Sequence, residues 1–313
     1  MIKPQTAVAR IDAEDKGRFK RRQLSNSVFA YFLLLPTLIL IGVIIVYPLG
    51  NAVWLSLTNR TFINPTPTFV GLENYLDILR SDTFRQILFN SLLWTLSVVA
   101  LQFIVGFATA LLLNQQFRGR SLARALIIIP WVTPGVIAAL LWRLLYEPQL
   151  GIINGTLANL GVPNPTIPWL SQSSTAMLAV IIAAMWKGTP FSTVMFLAGL
   201  QNVSQELLDA SKVDGANFWS RLRHVVVPEM MPVFRTTVLL TTIFTFNYFD
   251  LIYIMTGGGP LRDTQIFPTW IYELAFAQTQ SGLAAAYGIL STIILLIFSA
   301  FYIRELNKQE ALG

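Results

Sequence analysis

Three long stretches of this chain carry no charged residue, and their length indicates whether the protein folds in water or in a membrane. The stretches are residues 23–59, 86–117 and 274–303. A run of about 20 apolar residues is long enough to cross the hydrocarbon core of a bilayer as a helix. Only 12% of all residues are charged, against about 25% in soluble domains. The sequence therefore predicts an integral membrane protein.

Six apolar segments are predicted to span the membrane as helices, because lipid offers the backbone no hydrogen-bond partner. They are residues 28–50, 87–113, 123–146, 175–200, 233–256 and 283–303. The first is too long for a cleaved signal peptide and is interpreted as a retained helix. The predicted fold is all-α and polytopic, with a basic tail over 1–27, a transmembrane domain over 28–303 and a second tail over 304–313.

The distribution of Lys and Arg predicts the orientation of these spans. If both termini are cytoplasmic, fifteen of the 22 Lys and Arg residues lie on the cytoplasmic side and four on the outer side. Such an excess is typical of cytoplasmic segments. We therefore expect both termini inside, and we interpret the basic N-terminal tail as a topology signal rather than as a nucleic-acid site.

The residue types that carry most enzyme chemistry are missing or isolated. There is no cysteine, and the single histidine is His224. No Gly-Lys dipeptide occurs, so the chain has no P-loop for ATP. We expect neither an enzyme nor a cofactor or metal site in this chain.

A few polar residues interrupt the predicted spans: Arg143, Lys187, Asn247 and Asp250. Ionisable groups inside a membrane are costly and usually face the bundle interior or a water-filled path. Lys187 could pair with Asp250 or with a carboxylate of another subunit. The two groups could also relay protons, although two isolated groups make a weak relay.

The connection between the fourth and fifth spans, residues 204–228, is the most informative segment. Ser204 is predicted to cap a helix that has Glu206 in its first turn. Gly215 suits a left-handed turn that ends this helix. A second helix would follow with Phe218, Leu222 and Val225 on one face. These features fit a docking segment, and they also fit an amphipathic hairpin that lies on the membrane surface.

Three short strings in this connection resemble a known motif. Asp209-Ala210-Ser211, Asp214-Gly215-Ala216 and Val226-Val227-Pro228 are similar to the EAA motif of binding-protein-dependent ABC importers, in which the triplet EAA is followed by DGA and later by an apolar pair before proline. The departures are Asp for Glu and Ser for the second Ala. Residues 69–75 and 256–260 also resemble the maltose and glycerol-phosphate permease group, and the resemblance covers nearly the whole chain.

This resemblance implies an importer permease of the type I ABC fold in the bacterial cytoplasmic (inner) membrane. It implies a solute-binding protein, two ATP-binding subunits that hold ATP and Mg, and a second homologous permease in a heterodimer. It also implies that the first loop helix is a coupling helix that docks on an ATP-binding subunit. The implied coupling residues are Glu206, Asp209, Ala210, Ser211, Asp214, Gly215 and Ala216.

The same resemblance places substrate, a sugar or sugar derivative, between the spans that flank the loop. Each flanking span carries a stripe with i, i+3, i+4, i+7 spacing, and Asn247 and Asp250 lie nearby. The stripes are Ala184, Lys187, Gly188 and Phe191, and Thr241, Phe244, Thr245 and Tyr248. Aromatic rings beside polar groups suit sugars, but small residues also serve helix packing in membranes.

Two other functions compete with ATP-driven import at this stage. One is a proton-coupled secondary transporter, which would need a stronger network of intramembrane carboxylates. The other is a membrane scaffold or channel that transports nothing by itself. Neither explains the Asp214-Gly215-Ala216 turn, and an ATP-binding subunit that co-purifies would separate them from an importer.

Overall fold

A computed structural model describes residues 31, 33–61, 63 and 66–310, with side chains as far as residue 304. The predicted N-terminal tail, residues 1–27, lies outside the described residues, as do residues 311–313 of the C-terminal tail. The described part is helical apart from turns and one isolated antiparallel bridge between Thr58 and Phe69. The predicted all-α class is therefore confirmed.

Thirteen helices are labelled here in chain order over the described residues. They are α1 (Leu33–Ser56), α2 (Glu73–Arg80), α3 (Asp82–Asn114), α4 (Arg120–Val132), α5 (Gly135–Leu145), α6 (Ile152–Asn159), α7 (Ser173–Asn202), α8 (Gln205–Val213), α9 (218–229), α10 (Met231–Phe246), α11 (Asp250–Thr256), α12 (267–277) and α13 (Ser281–Glu310). Short π-helical segments occur in three of them, at Gly42–Val46, Leu222–Val226 and Glu273–Ala277.

Four of these helices, α1, α3, α7 and α13, are long and apolar enough to cross a membrane. The predicted third and fifth spans are each broken in two. α4 and α5 meet at an angle of 96°, and α10 and α11 meet at 44°. If each bent pair is one span, the described residues contain six spans, as predicted. Pro134 contributes to the first break because it has no backbone N–H to continue the ladder of α4.

Two long helices, α3 and α7, form the centre of the bundle, and small residues let them approach closely. A Cβ atom built on Gly106 of α3 would lie 2.7 Å from Cβ of Ser192 in α7. Trp94 and Val98 of α3 are buried in one core with Ala179 and Ala183 of α7. Helices in a membrane associate largely through close packing of this kind, because lipid tails are as apolar as the side chains and the hydrophobic effect does not drive the helices together.

The connection 147–174 is rich in Gly, Pro and Asn, a composition that predicts a loop with little regular structure, and this prediction is wrong. It contains the two-turn helix α6. Buried Asn154 organises this segment, because its Nδ2 donates to the carbonyls of Pro148 (3.0 Å) and Ile167 (2.9 Å) and its Oδ1 accepts from Trp169 Nε1 at 2.7 Å. After the fifth span, α11 ends at Gly257, which has a left-handed φ of +62°.

Candidate substrate cavity and docking loop

A cavity of about 620 Å³ lies between the middle of α3, the end of α4, the middle of α7 and the end of α10. Its walls combine large aromatic rings with a few polar groups. The lining residues are Trp94, Val98, Gln102, Trp131, Ala184, Lys187, Gly188, Phe191, Thr241, Ile243, Phe244, Thr245, Asn247 and Tyr248. Its volume falls within the range of roughly 300–1,000 Å³ found for small-molecule sites.

The structure brings together nine of the ten residues that the sequence nominates for the substrate path. Both stripes and Asn247 line the cavity, whereas Asp250 does not. Asp250 begins α11, and its carboxylate packs against Gly135 instead. Whether the nine residues contact substrate stays a prediction.

Five lining residues are missing from the sequence-based set, and three of them lie on α3. Trp94, Val98 and Gln102 follow one another at i, i+4 and i+8, so they share a helix face. Gln102 is 6% exposed. The sequence did contain a signal for Gln102, because a glutamine in the middle of a long apolar span must find hydrogen-bond partners for its amide.

The stripe on α7 serves both packing and the cavity wall. Gln102 Nε2 donates to the carbonyl oxygen of Ala184 at 3.1 Å, and a Cβ on Gly188 would overlap the Gln102 amide. Gly188 is therefore required for the close approach of α3. The helix-packing interpretation and the cavity interpretation of this stripe describe the same surface.

The aromatic rings form a nearly continuous wall. The ring centroid of Phe191 lies 6.0 Å from those of Trp131 and Phe244, and Trp94 lies 6.3 Å from Tyr248. The Tyr248 hydroxyl is buried and has no hydrogen-bond partner among the described residues. Such a wall can bind a molecule that presents apolar faces to the rings and hydrogen-bonding groups at its edges.

Lys187 is the one charged residue among those lining the cavity. Its Nζ donates a hydrogen bond of 2.7 Å to the carbonyl oxygen of Thr133, between α4 and α5. Asp250 acts on Lys187 electrostatically, but among the described residues the two side chains form no direct ion pair. The direct pairing considered from the sequence is therefore not what the structure shows.

The connection 204–228 folds into the two predicted helices, α8 and α9, with Gly215 between them at φ +77°. The left-handed turn is closed by a 2.9 Å hydrogen bond from Ala216 N to the carbonyl of Ser211. Ser204 stands at the predicted cap position, but its side chain makes no capping hydrogen bond, so that detail was wrong. Asn217 caps α9, because its Oδ1 accepts from Ser220 N at 2.8 Å.

Most of the predicted coupling residues are exposed. Glu206, Asp209, Ala210, Asp214 and Gly215 are accessible, Ala216 is half-buried and Ser211 is buried. Among the large apolar side chains of the loop, Val213 is 88% exposed and Trp219 is 72% exposed.

Two features fix this loop. Asp209 Oδ1 accepts hydrogen bonds from Lys212 Nζ at 2.7 Å and Gln205 Nε2 at 3.0 Å, and the first of these, then the second, lowers the pKa of the Asp209 carboxyl. On its inner side, Val226 and Val227 pack on the core of Phe196, Leu200, Met230 and Phe234, which joins α7 to α10. The loop is therefore packed against both helices that wall the cavity.

A bundle of helices long and apolar enough to cross a membrane, with a cavity between them and an exposed two-helix connection, fits the class of membrane transport subunits. The comparison with known families agrees with that class. Residues 102–306 match the family described as "Binding-protein-dependent transport system inner membrane component". The chain belongs to this family.

Several relatives align over nearly the full length of the chain. The trehalose/maltose transport system permease protein MalF of Thermococcus litoralis is 36% identical over 293 residues, which cover 93% of this chain and 97% of that protein. A probable ABC transporter permease of Brucella suis is 32% identical over 92% of this chain and 99% of its own length. The sulfoquinovosyl glycerol transport system permease SmoG of Agrobacterium fabrum is 29% identical over 98% of this chain and all of its own length.

The fold also matches solved transporters. A bacterial ABC transporter for import of the acidic polysaccharide alginate superposes with a TM-score of 0.79, at 20% identity, over 92% of this chain and 98% of that one. At this identity the likeness shows the fold alone, and it confirms the predicted importer permease fold.

Family membership decides between the functions that the sequence left open. The chain is a permease subunit of an ABC importer, a transport component rather than an enzyme, and it works with a solute-binding protein and ATP-binding subunits. The proton-coupled transporter and the scaffold are therefore excluded. The motif of Asp209 to Ala216 is typical of this family.

Proposed function

We propose that this chain forms, with a second homologous permease subunit, the membrane path for a carbohydrate or sugar derivative. A solute-binding protein delivers the substrate, and ATP and Mg are held by the two ATP-binding subunits rather than by this chain. Both termini of the chain are cytoplasmic in this proposal, which the distribution of Lys and Arg supports.

The observation that carries the sugar assignment is the composition of the cavity wall. Trp94, Trp131, Phe191, Phe244 and Tyr248 supply ring faces, which pack against the apolar faces of pyranose rings. Gln102, Thr241 and Asn247 supply hydrogen-bonding groups for sugar hydroxyls.

Charge restricts the substrate class further. Since Lys187 is the one charged residue in the wall and no carboxylate lines it, the cavity favours neutral or anionic sugars over cationic solutes. Two of the relatives are named for trehalose/maltose and for sulfoquinovosyl glycerol transport, one neutral class and one anionic class, which agrees with this charge pattern.

We propose further that α8 is the coupling helix. Glu206, Asp209 and Asp214 present exposed carboxylates for basic groups of an ATP-binding subunit, and small Ala210 lets the helix lie deep in a cleft. ATP can shift the transporter only through its different affinity for two conformations. The rigid link from the loop to α7 and α10 supports transmission of that difference to the cavity.

Reconstitution tests the substrate assignment. The complete importer, with its binding protein, partner permease and ATP-binding subunits, is placed in liposomes, and ATP-dependent uptake of labelled mono-, di- and oligosaccharides, sugar acids and polyol phosphates is measured beside a panel of amino acids. We expect uptake of a carbohydrate. Asn247→Leu should weaken this uptake, whereas the control Thr292→Val, at an exposed position of α13, should not. Uptake confined to amino acids would contradict the proposal.

A further inference from the structure

The break between α4 and α5 exposes two helix ends inside the third span. Only Thr133 and Pro134 separate the helices, which meet at 96°. Helix ends leave backbone groups without partners in the helix, and the end of α4 is partly negative whereas the start of α5 is partly positive. Each end therefore needs a compensating group from a neighbouring span.

Lys187 supplies that group at the end of α4. Its Nζ reaches across from α7 and donates to the carbonyl oxygen of Thr133 at 2.7 Å. Pro134 follows directly and has no N–H. An ammonium at this point matches the partial negative charge of a helix C-terminus, so the positive charge of Lys187 has a structural use at the break.

Asp250 supplies the opposite charge at the start of α5. Its carboxylate packs so closely on Gly135, the first residue of α5, that a Cβ there would overlap it. Pro134, the residue before the helix, offers no side-chain acceptor to the first turn. Leu251 and Ile252, which follow Asp250, share a buried core with Ala138 and Ala139 of α5, and Asp250 Oδ1 accepts a 3.1 Å hydrogen bond from Leu251 N.

We propose that Lys187 and Asp250 are positioning residues that together hold the break of the third span, each neutralising the helix end of opposite charge. The consequence reaches the cavity through Trp131, in the last turn of α4, whose ring lines the cavity and lies 6.0 Å from that of Phe191. The two charges thus set the position of one cavity wall. This role is independent of which solute is carried.

The geometry of the break can be followed with spin labels on introduced cysteines, because the chain contains no cysteine of its own. Leu126→Cys in α4 and Leu141→Cys in α5 are both exposed positions at which spin labels report the distance between the two helices. The measurement is made on the assembled transporter in nanodiscs, with uptake recorded for the same variants. Lys187→Met and Asp250→Asn each remove one charge, and Lys187→Arg keeps it. Tyr302→Phe is the control. It removes a 2.9 Å hydrogen bond from the Tyr302 hydroxyl to the carbonyl oxygen of Arg235, which also joins two spans but lies away from the break.

We expect Lys187→Met and Asp250→Asn to shift and broaden the distance distribution, while Lys187→Arg and Tyr302→Phe leave it as in the unchanged chain. If neither Lys187→Met nor Asp250→Asn alters the distance distribution, the proposal is overturned. This holds even if uptake falls, because a loss of uptake without a change in distance would mean that Lys187 acts on the substrate alone. If one of these variants fails to assemble, the other decides, since each acts on a different end of the break.

Discussion

The carboxylate of Asp209 accepts a 2.7 Å hydrogen bond from the ammonium of Lys212, one helical turn further along α8. This pair lies on the surface at the position where the family motif places its acidic residue. The ion pair keeps the carboxylate oriented before any partner docks. A docking cation must therefore share or displace Lys212.

Removal of the carboxylate tests its role in coupling. Asp209→Ala is expected to lower ATP-dependent uptake by about tenfold, since allosteric coupling typically changes affinities by roughly 5–150-fold, while membrane insertion stays normal. Asp82→Ala is the matched control, because Asp82 forms an exposed ion pair of the same i, i+3 spacing with Arg85 at 3.0 Å. Equal losses of uptake in both variants would show that Asp209 has no special role.

The pH dependence of coupling follows from the lowered pKa of Asp209. The hydrogen bonds from Lys212 and Gln205 favour the charged form, so their stabilising effect is present above the ordinary carboxyl pKa of about 3.9 and disappears as the pH falls through the lowered value. Between about pH 5 and pH 8 the charge does not change. Uptake profiles of the unchanged chain and of Asp209→Asn should therefore be parallel in this range, and a step present only in the unchanged chain would contradict the assignment.

The left-handed turn at Gly215 predicts which substitutions the loop tolerates. A Cβ at this position would meet no atom within 4 Å, so the constraint is the backbone angle φ of +77°. An ordinary side chain there costs about 1–2 kcal/mol, whereas Asn adopts this conformation more readily. We expect Gly215→Val to reduce uptake much more than Gly215→Asn. Similar losses in both would mean that the glycine is needed for close contact with the partner.

Two tyrosines with buried hydroxyl groups give a paired test of the cavity. Tyr248 lines the cavity, and its hydroxyl has no hydrogen-bond partner among the described residues, whereas the Tyr146 hydroxyl donates to the carbonyl of Ala179 at 3.1 Å. Tyr248→Phe is expected to raise the KM for uptake and leave thermal stability unchanged. Tyr146→Phe is expected to cost about 1 kcal/mol of stability and leave KM unchanged. A reversed pattern would remove Tyr248 from the substrate path.

Packing of α3 on α7 predicts a contrast between two helical glycines. A Cβ at Gly106 would press on Ser192 and on the backbone of Thr193, whereas one at Gly288 of α13 would meet nothing within 4 Å. Gly106→Ala should therefore destabilise the chain by about 1–3 kcal/mol, as overpacking does, and Gly288→Ala should not. The midpoint of thermal unfolding in detergent measures both, and a stable Gly106→Ala variant would show that the two helices can separate.

The spans, the loop helices and most cavity residues could be predicted because each depends on local pattern. Apolar length indicates a span, and the spacing of Ala184, Lys187, Gly188 and Phe191 places them on one helix face. The break at Thr133-Pro134 could not be predicted in this way, and neither could the contact of Asp250 with Gly135, because both depend on how separate spans pack. Trp94 and Gln102 were missed for the same reason, since only the packing of α3 on α7 and α10 turns that face towards the cavity.

Docking of α8 on an ATP-binding subunit can be tested by site-specific photocrosslinking. A photoreactive amino acid replaces Ala210 in the assembled importer, and the same group replaces exposed Ala158 in α6, which lies in a connection predicted to be on the other side of the membrane. We expect position 210 to crosslink to an ATP-binding subunit and position 158 not to do so. Crosslinking of position 210 to lipid alone, or of position 158 to the ATP-binding subunit, would contradict it.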